Sequence, residues 1–208
     1  MFGVKEELAD TVVRHRKARR SKVMGTYRYW QHFLALESDF AATSRYVEFS
    51  DQNFATFSIE YAKLLLAIGS EVDVLCKIMC ENIENTEKRG NIDDYRACIS
   101  AHTQIAAEEI LVRRYNLAFK PWDAWSHSKN PAWWQCYQNV KHQRDAHFNE
   151  ANFENCANAI SGLFVVVLYC YAAEKSVEVL EPYPILLGKE EEPGRLLLES
   201  GYSVPAFT

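Results

Sequence analysis

Three signatures that would fix an activity are missing from this sequence: it has no glycine-rich phosphate loop, no serine nucleophile elbow and no HExxH pair. NTPase, serine-hydrolase and zinc-protease chemistry therefore have no support, because each needs its own spacing of backbone or side-chain ligands. Long apolar runs are also lacking. The longest, Ala159 to Ala173 (AISGLFVVVLYCYAA), is shorter than the roughly 20 residues that cross a bilayer and reads as a buried core helix, so no membrane contact is expected. There is no internal repeat and no low-complexity stretch, which excludes solenoids and biased tracts. No secretory signal opens the chain, since MFGVKEELAD is charged at once. A cytoplasmic location is expected, with Cys76, Cys80, Cys98, Cys136, Cys156 and Cys170 as reduced thiols. Positive charge is not in excess either. The net charge is −5, so any contact with nucleic acid has to be local.

What the chain does have is helical periodicity and enough length for one sizeable domain. With 208 residues, 48% hydrophobic and 25% charged, it matches an ordinary globular protein. Residues 1–29 read as an N-terminal basic helix or arm, 30–178 as the bundle domain and 179–208 as a tail. Trp30, Phe33, Leu34, Phe40, Ala41 and Val47 recur at helical spacing, and after the polar break Ser50–Asn53 so do Phe57, Tyr61, Leu64, Ile68, Leu75 and Ile78. Asp93 or Asp94 can cap a third helix, expected to run to about Tyr115. Asn130 and Pro131 are a cap and first-turn pair for the next helix, and Phe153 to Tyr171 is apolar nearly all round, which marks a central helix. After Val179 the runs ILL and RLLLE flank a charged Pro-Gly turn and predict a short irregular or β-hairpin tail. The expected fold is all-α: an antiparallel bundle of four to five main helices with that tail.

The stretch WWQCYQNVKHQRDAHFNEANF, residues 133–153, crowds basic and titratable side chains onto one predicted helix of an acidic protein. Lys141 and Arg144, and Arg144 and His147, are three apart, which on a continuous helix sets them on one face, with Asn139 and His142 nearby. Arginine offers phosphate a planar fork, lysine a point charge, and a histidine can pass a proton in phosphodiester cleavage. The plainer reading of the same strip is a solvated face opposite Trp134 and Val140. Two acids fall on core stripes: Glu37 between Phe33 and Phe40, and Glu71 between Ile68 and Leu75. A buried carboxylate needs a partner, and Arg45, Lys77, Lys141 or Arg144 could serve, either as an acid–base site with His142 or His147 or as an interhelical salt bridge.

Two further clusters carry weaker chemistry. Cys76 with Cys80 and Cys98 with His102 have a spacing that could present four zinc ligands, although they also read as small core residues, and no metal is assigned. The segment holding Arg14, Arg16, Lys17, Arg19, Arg20 and Lys22 places six positive charges in nine residues. It suits nucleic-acid phosphates, an acidic partner or an exposed helix end.

At residues 141–147 the sequence resembles the HEPN superfamily. These are helical bundles in which an arginine and a histidine near the start of a late helix form a metal-independent ribonuclease site, often completed by dimerisation. The order of two long helices, a motif-bearing helix and a central apolar helix is similar over roughly residues 30–175. His147 matches the motif histidine, Lys141 stands at the arginine's place, and Arg144 supplies the guanidinium. The resemblance implies a homodimer that cleaves or binds RNA without a cofactor, in a toxin or antiphage system. Glu37 or Glu71 would then orient the base. Members that have lost catalysis act as binding modules, so a non-catalytic helical module that binds a protein partner is the alternative. A third reading is a small-ligand enzyme with a pocket walled by Trp122, Trp125, Trp133 and Trp134.

Overall fold

The structure, a computed structural model, describes residues 27–84, 90–172, 179–189 and 202–203. Its helices are α1 (Arg28–Ala42), α2 (Ile59–Glu84), α3 (Ile92–Ser100), α4 (Ala132–His142), α5 (Arg144–His147) and α6 (Phe153–Ala172). Two small antiparallel pairs accompany them: β1 (Ile110–Val112) with β2 (Leu117–Phe119), and β3 (Val179–Leu180) with β4 (Tyr202–Ser203). The molecule is an all-α bundle, as its periodicity requires.

The apolar run becomes α6, whose buried residues lie on every side of the helix, from Phe153 through Ile160 and Val166 to Tyr171. It packs on α1, α2 and α4. By length and composition it could cross a membrane, but 83% of its apolar window is buried inside the protein. Around it, Phe33 stacks on Phe164 with ring centroids 5.0 Å apart, and Phe49 on Phe153 at 4.6 Å. α2 packs on α1, α3, α4 and α6.

Three expectations are corrected. The first core helix ends at Ala42 and does not reach Val47: Thr43 turns its hydroxyl onto the Phe40 carbonyl, 2.7 Å away, and a 3-10 turn follows. The third helix stops at Ser100 and does not run to Tyr115. Ile110 and Val112 are buried while Leu111 is not, a period of two, and Asn116 adopts the left-handed conformation (φ 54°) that turns β1 into β2. Strand is therefore not confined to the tail. In the tail itself the antiparallel pair is formed by residues 179–180 and 202–203, whereas ILL (residues 185–187) lies as a strap across the bundle; RLLLE is outside the described residues. Leu111 and Gly188 exchange two backbone hydrogen bonds, at 2.7 and 2.9 Å, so the strap extends the edge of β1. Lys189 pairs with Glu108, and Arg113 donates to the Lys189 carbonyl.

Candidate functional site

The site grows from how α4 is seated. Asn130 is not its cap; the Asn130 side-chain oxygen (Oδ1) accepts from Arg96 and its Nδ2 donates to Asp93, tying the preceding loop to α3. Pro131 occupies the N-cap with φ −60°. Tyr137 then lies against Gly69 of α2, where a Cβ would come within 2.4 Å of the ring, and Trp133 lies against Gly162 of α6. With Trp133, Trp134, Tyr137 and Val140 turned inward, the polar positions Gln135, Asn139, Lys141 and His142 are left toward the surface.

The helix does not continue through the basic strip. Gln143 has φ −141° and ψ 52°, outside the helical region, and α5 restarts as a single turn from Arg144. Lys141 and Arg144 thus do not share one helical face. They meet instead around an open depression of about 570 Å³ lined by Lys141, His142, Gln143, Arg144, Asp145 and Ala146. The Lys141 ammonium donates to the Tyr137 hydroxyl at 3.3 Å and lies 5.3 Å from that ring's centroid. His142 and Arg144 are exposed and have no hydrogen-bond or ion-pair partner among the described residues.

His147 is held differently. Its Nδ1 lies 2.7 Å from Oε1 of Glu150, and the other oxygen of Glu150 accepts the Asn139 side-chain amide at 2.8 Å. The Cys136 thiol shares the same carboxylate, and the Glu150 backbone carbonyl accepts from Asn155 at 2.9 Å. Partial burial pushes the Glu150 carboxyl up, but the donors Asn139, His147 and Cys136 outweigh it and hold the group below the usual carboxylate range. An ionised carboxylate only accepts hydrogen bonds, so Nδ1 of His147 carries the proton. In the neutral ring Nε2 then has the free lone pair. Cys136 is pushed up to about 12, by burial first and then by the Glu150 charge, which makes it a donor to that carboxylate and a poor nucleophile.

Glu150 is the member of this cluster that the sequence reading missed, although its place three residues after His147 is a helical pairing distance. The two acids expected there lie elsewhere. Glu37, 1% exposed, accepts the backbone N–H groups of Ile185, Leu186 and Leu187 at 3.0, 2.7 and 2.9 Å. Its partner is the strap, and among the described residues no side-chain cation pairs with it. Burial raises its carboxyl, and the three backbone donors offset only part of that. Glu71 pairs with Nδ1 of His32 at 3.3 Å, on α1. It is two residues, about 200° of helix, from the Gly69 position that meets α4. Neither acid pairs with Lys141, Arg144, His142 or His147.

The remaining candidates resolve simply. The Nδ1 of His102 lies 2.9 Å from the Cys98 carbonyl oxygen, and among the described residues no three His, Cys, Asp or Glu side chains converge as metal ligands. All six cysteines are free thiols, and only Cys136 is less than buried. The four tryptophans expected to wall a pocket are buried against one another, Trp122 and Trp133 donating to the carbonyls of Gly162 and Pro121. The Arg14–Lys22 segment is outside the described residues. Compared with protein-family models, curated proteins and solved structures, the chain matches none.

Proposed function

We propose that the chain handles RNA phosphates at the Lys141–Arg144 rim and cleaves the strand without metal, with His147 as the proton-transfer group. The observation that carries this reading is the hydrogen-bonded relay Asn139–Glu150–His147 beside a basic, solvent-open depression. A carboxylate on Nδ1 orients an imidazole and fixes its tautomer, leaving Nε2 to act as base. His147 is 31% exposed at its side chain, enough for Nε2 to meet a substrate. In the proposed step Nε2 takes the proton of a ribose 2′-hydroxyl as its oxygen attacks the adjacent phosphorus. The bond from phosphorus to the 5′-oxygen breaks, and His142 on the same rim returns a proton to that oxygen. The products are a 2′,3′-cyclic phosphate and a 5′-hydroxyl. Arg144 and Lys141 stabilise the charge that builds on the phosphoryl oxygens.

A non-catalytic interaction module is the second reading. It is favoured by the Lys141 amine being drawn onto Tyr137 and by Asp145 setting a negative charge into the rim. The test is cleavage of a labelled RNA in the presence of a chelator, with melting temperature measured in parallel. His147→Ala should abolish cleavage, Arg144→Ala should reduce it by about 100-fold or more, and Lys141→Arg should raise it. Melting temperatures should stay close to the parent for Arg144→Ala, because an exposed side chain without a partner contributes little to stability. Absence of cleavage in both the natural chain and Lys141→Arg would leave the interaction module as the reading.

A further inference from the structure

We infer that Phe57 is a stacking platform for one unpaired nucleobase of the strand whose phosphates meet the Lys141–Arg144 rim. The inference rests on the phosphate-handling reading above and adds a base-binding subsite to it. Phe57 precedes α2 and is 49% exposed. Exposure of one aromatic ring means nothing alone; its fixed position does. Thr56 accepts the Phe153 N–H at 2.9 Å, Ser58 donates to the Ala151 carbonyl at 3.4 Å, and Phe57 itself bridges to Asn152. The ring meets Phe148 edge to face, with centroids 5.7 Å apart and planes at 83°.

Phe148 follows His147 directly in the chain, and neighbouring Cα atoms are about 3.8 Å apart. The aromatic pair is therefore anchored at the residue next to the histidine that Glu150 holds. The rim that precedes this turn in the chain carries Lys141, His142 and Arg144 beside the acid Asp145, and the carboxylate of Glu150 is taken up by His147 and Asn139. A nucleotide carries both complements in one unit, a planar base and an anionic phosphate. An apolar peptide would leave the basic groups unanswered, and an inorganic anion would leave the ring unused. A base inside a duplex has both faces taken by its neighbours, so the platform selects unpaired strands.

Fluorescence anisotropy with a labelled single-stranded oligoribonucleotide, its duplex, and inorganic polyphosphate as a competitor without bases tests this on the full chain. Phe57→Ala and Phe57→Leu should each weaken single-strand binding on the order of tenfold and leave competition by polyphosphate unchanged, while Phe57→Trp keeps the parent affinity. The leucine variant preserves an apolar contact with Phe148 but has no π-face. Parent-like binding by Phe57→Leu, or equal affinity of the natural chain for the duplex, overturns the platform. So does a matching loss of polyphosphate competition in Phe57→Ala, which would mark a disturbed fold. If Arg144→Ala loses both oligonucleotide and polyphosphate while the Phe57 variants bind normally, the platform fails and the phosphate reading stands. If the natural chain binds neither, both fail.

Discussion

Glu37 and Glu150 titrate in opposite senses within one fold. The carboxyl of Glu37 is raised above its ordinary value of 4.5, chiefly by burial, so the folded state holds that proton more tightly than the unfolded chain does. Its contribution to stability is complete below 4.5 and is lost as pH rises through the raised folded value. Glu150 is lowered, so its contribution is present above 4.5 and is lost as pH falls through the folded value. Denaturant titrations across this range should therefore show Glu37→Gln losing the parent's decline on the alkaline side, and Glu150→Gln losing its decline on the acid side. Truncation is harsher than neutralisation. Glu37→Ala strands three backbone donors, each costing about 1–3 kcal/mol if it stays buried. The cheaper response is release of the strap, visible as faster amide hydrogen exchange at Ile185, Leu186 and Leu187 than at α6. That Glu37 is buried could be read from its place between Phe33 and Phe40. Its partners could not, because backbone N–H groups carry no mark in a sequence.

Among the elements, α4 decides where the candidate site lies, and it does so through a glycine. A methyl group at position 69 would meet the Tyr137 ring at 2.4 to 2.7 Å along its rigid edge, so α4 or the ring has to move. Gly69→Ala should cost about 1–3 kcal/mol, the usual price of an overpacked contact, and should lower the proposed RNA cleavage by shifting Lys141. Adding Tyr137→Ala should recover part of the lost activity at no gain in stability, since the clash is relieved but a core ring is gone. Chemical denaturation and cleavage rates on the single and double variants check this. The break at Gln143 was not legible, since no glycine or proline interrupts NVKHQRDAH; nor was the β1–β2 hairpin, whose alternation at Ile110 and Val112 spans too few residues to compete with the helical pattern before it. The long helices were legible because their apolar periods run for many turns.

For the whole molecule, the burial of its sulfur gives a simple measurement. Five thiols are buried, and the sixth, Cys136, is held protonated by its surroundings, pushed up to about 12. A thiolate is the reactive form, so a thiol reagent at neutral pH should find almost nothing in the folded protein and six groups once it is unfolded without reductant.

The central helix α6 also bears on how the protein is made. Its 20 residues, with mean hydropathy 1.5 in their most apolar window, are hidden only as long as α1, α2 and α4 enclose them. In chain order those three precede α6, so a ribosome releases its partners before it appears, and the segment can be sheltered as it emerges. A variant that delays this shelter, such as Gly69→Ala, exposes to the cell a stretch that by length and composition could enter a bilayer. Cell fractionation should then find the missing material in the detergent-extractable membrane pellet, a misdelivery and not a simple loss of folded molecules; recovery only in detergent-resistant aggregates would show that enclosure by its neighbours is not what keeps α6 out of the bilayer.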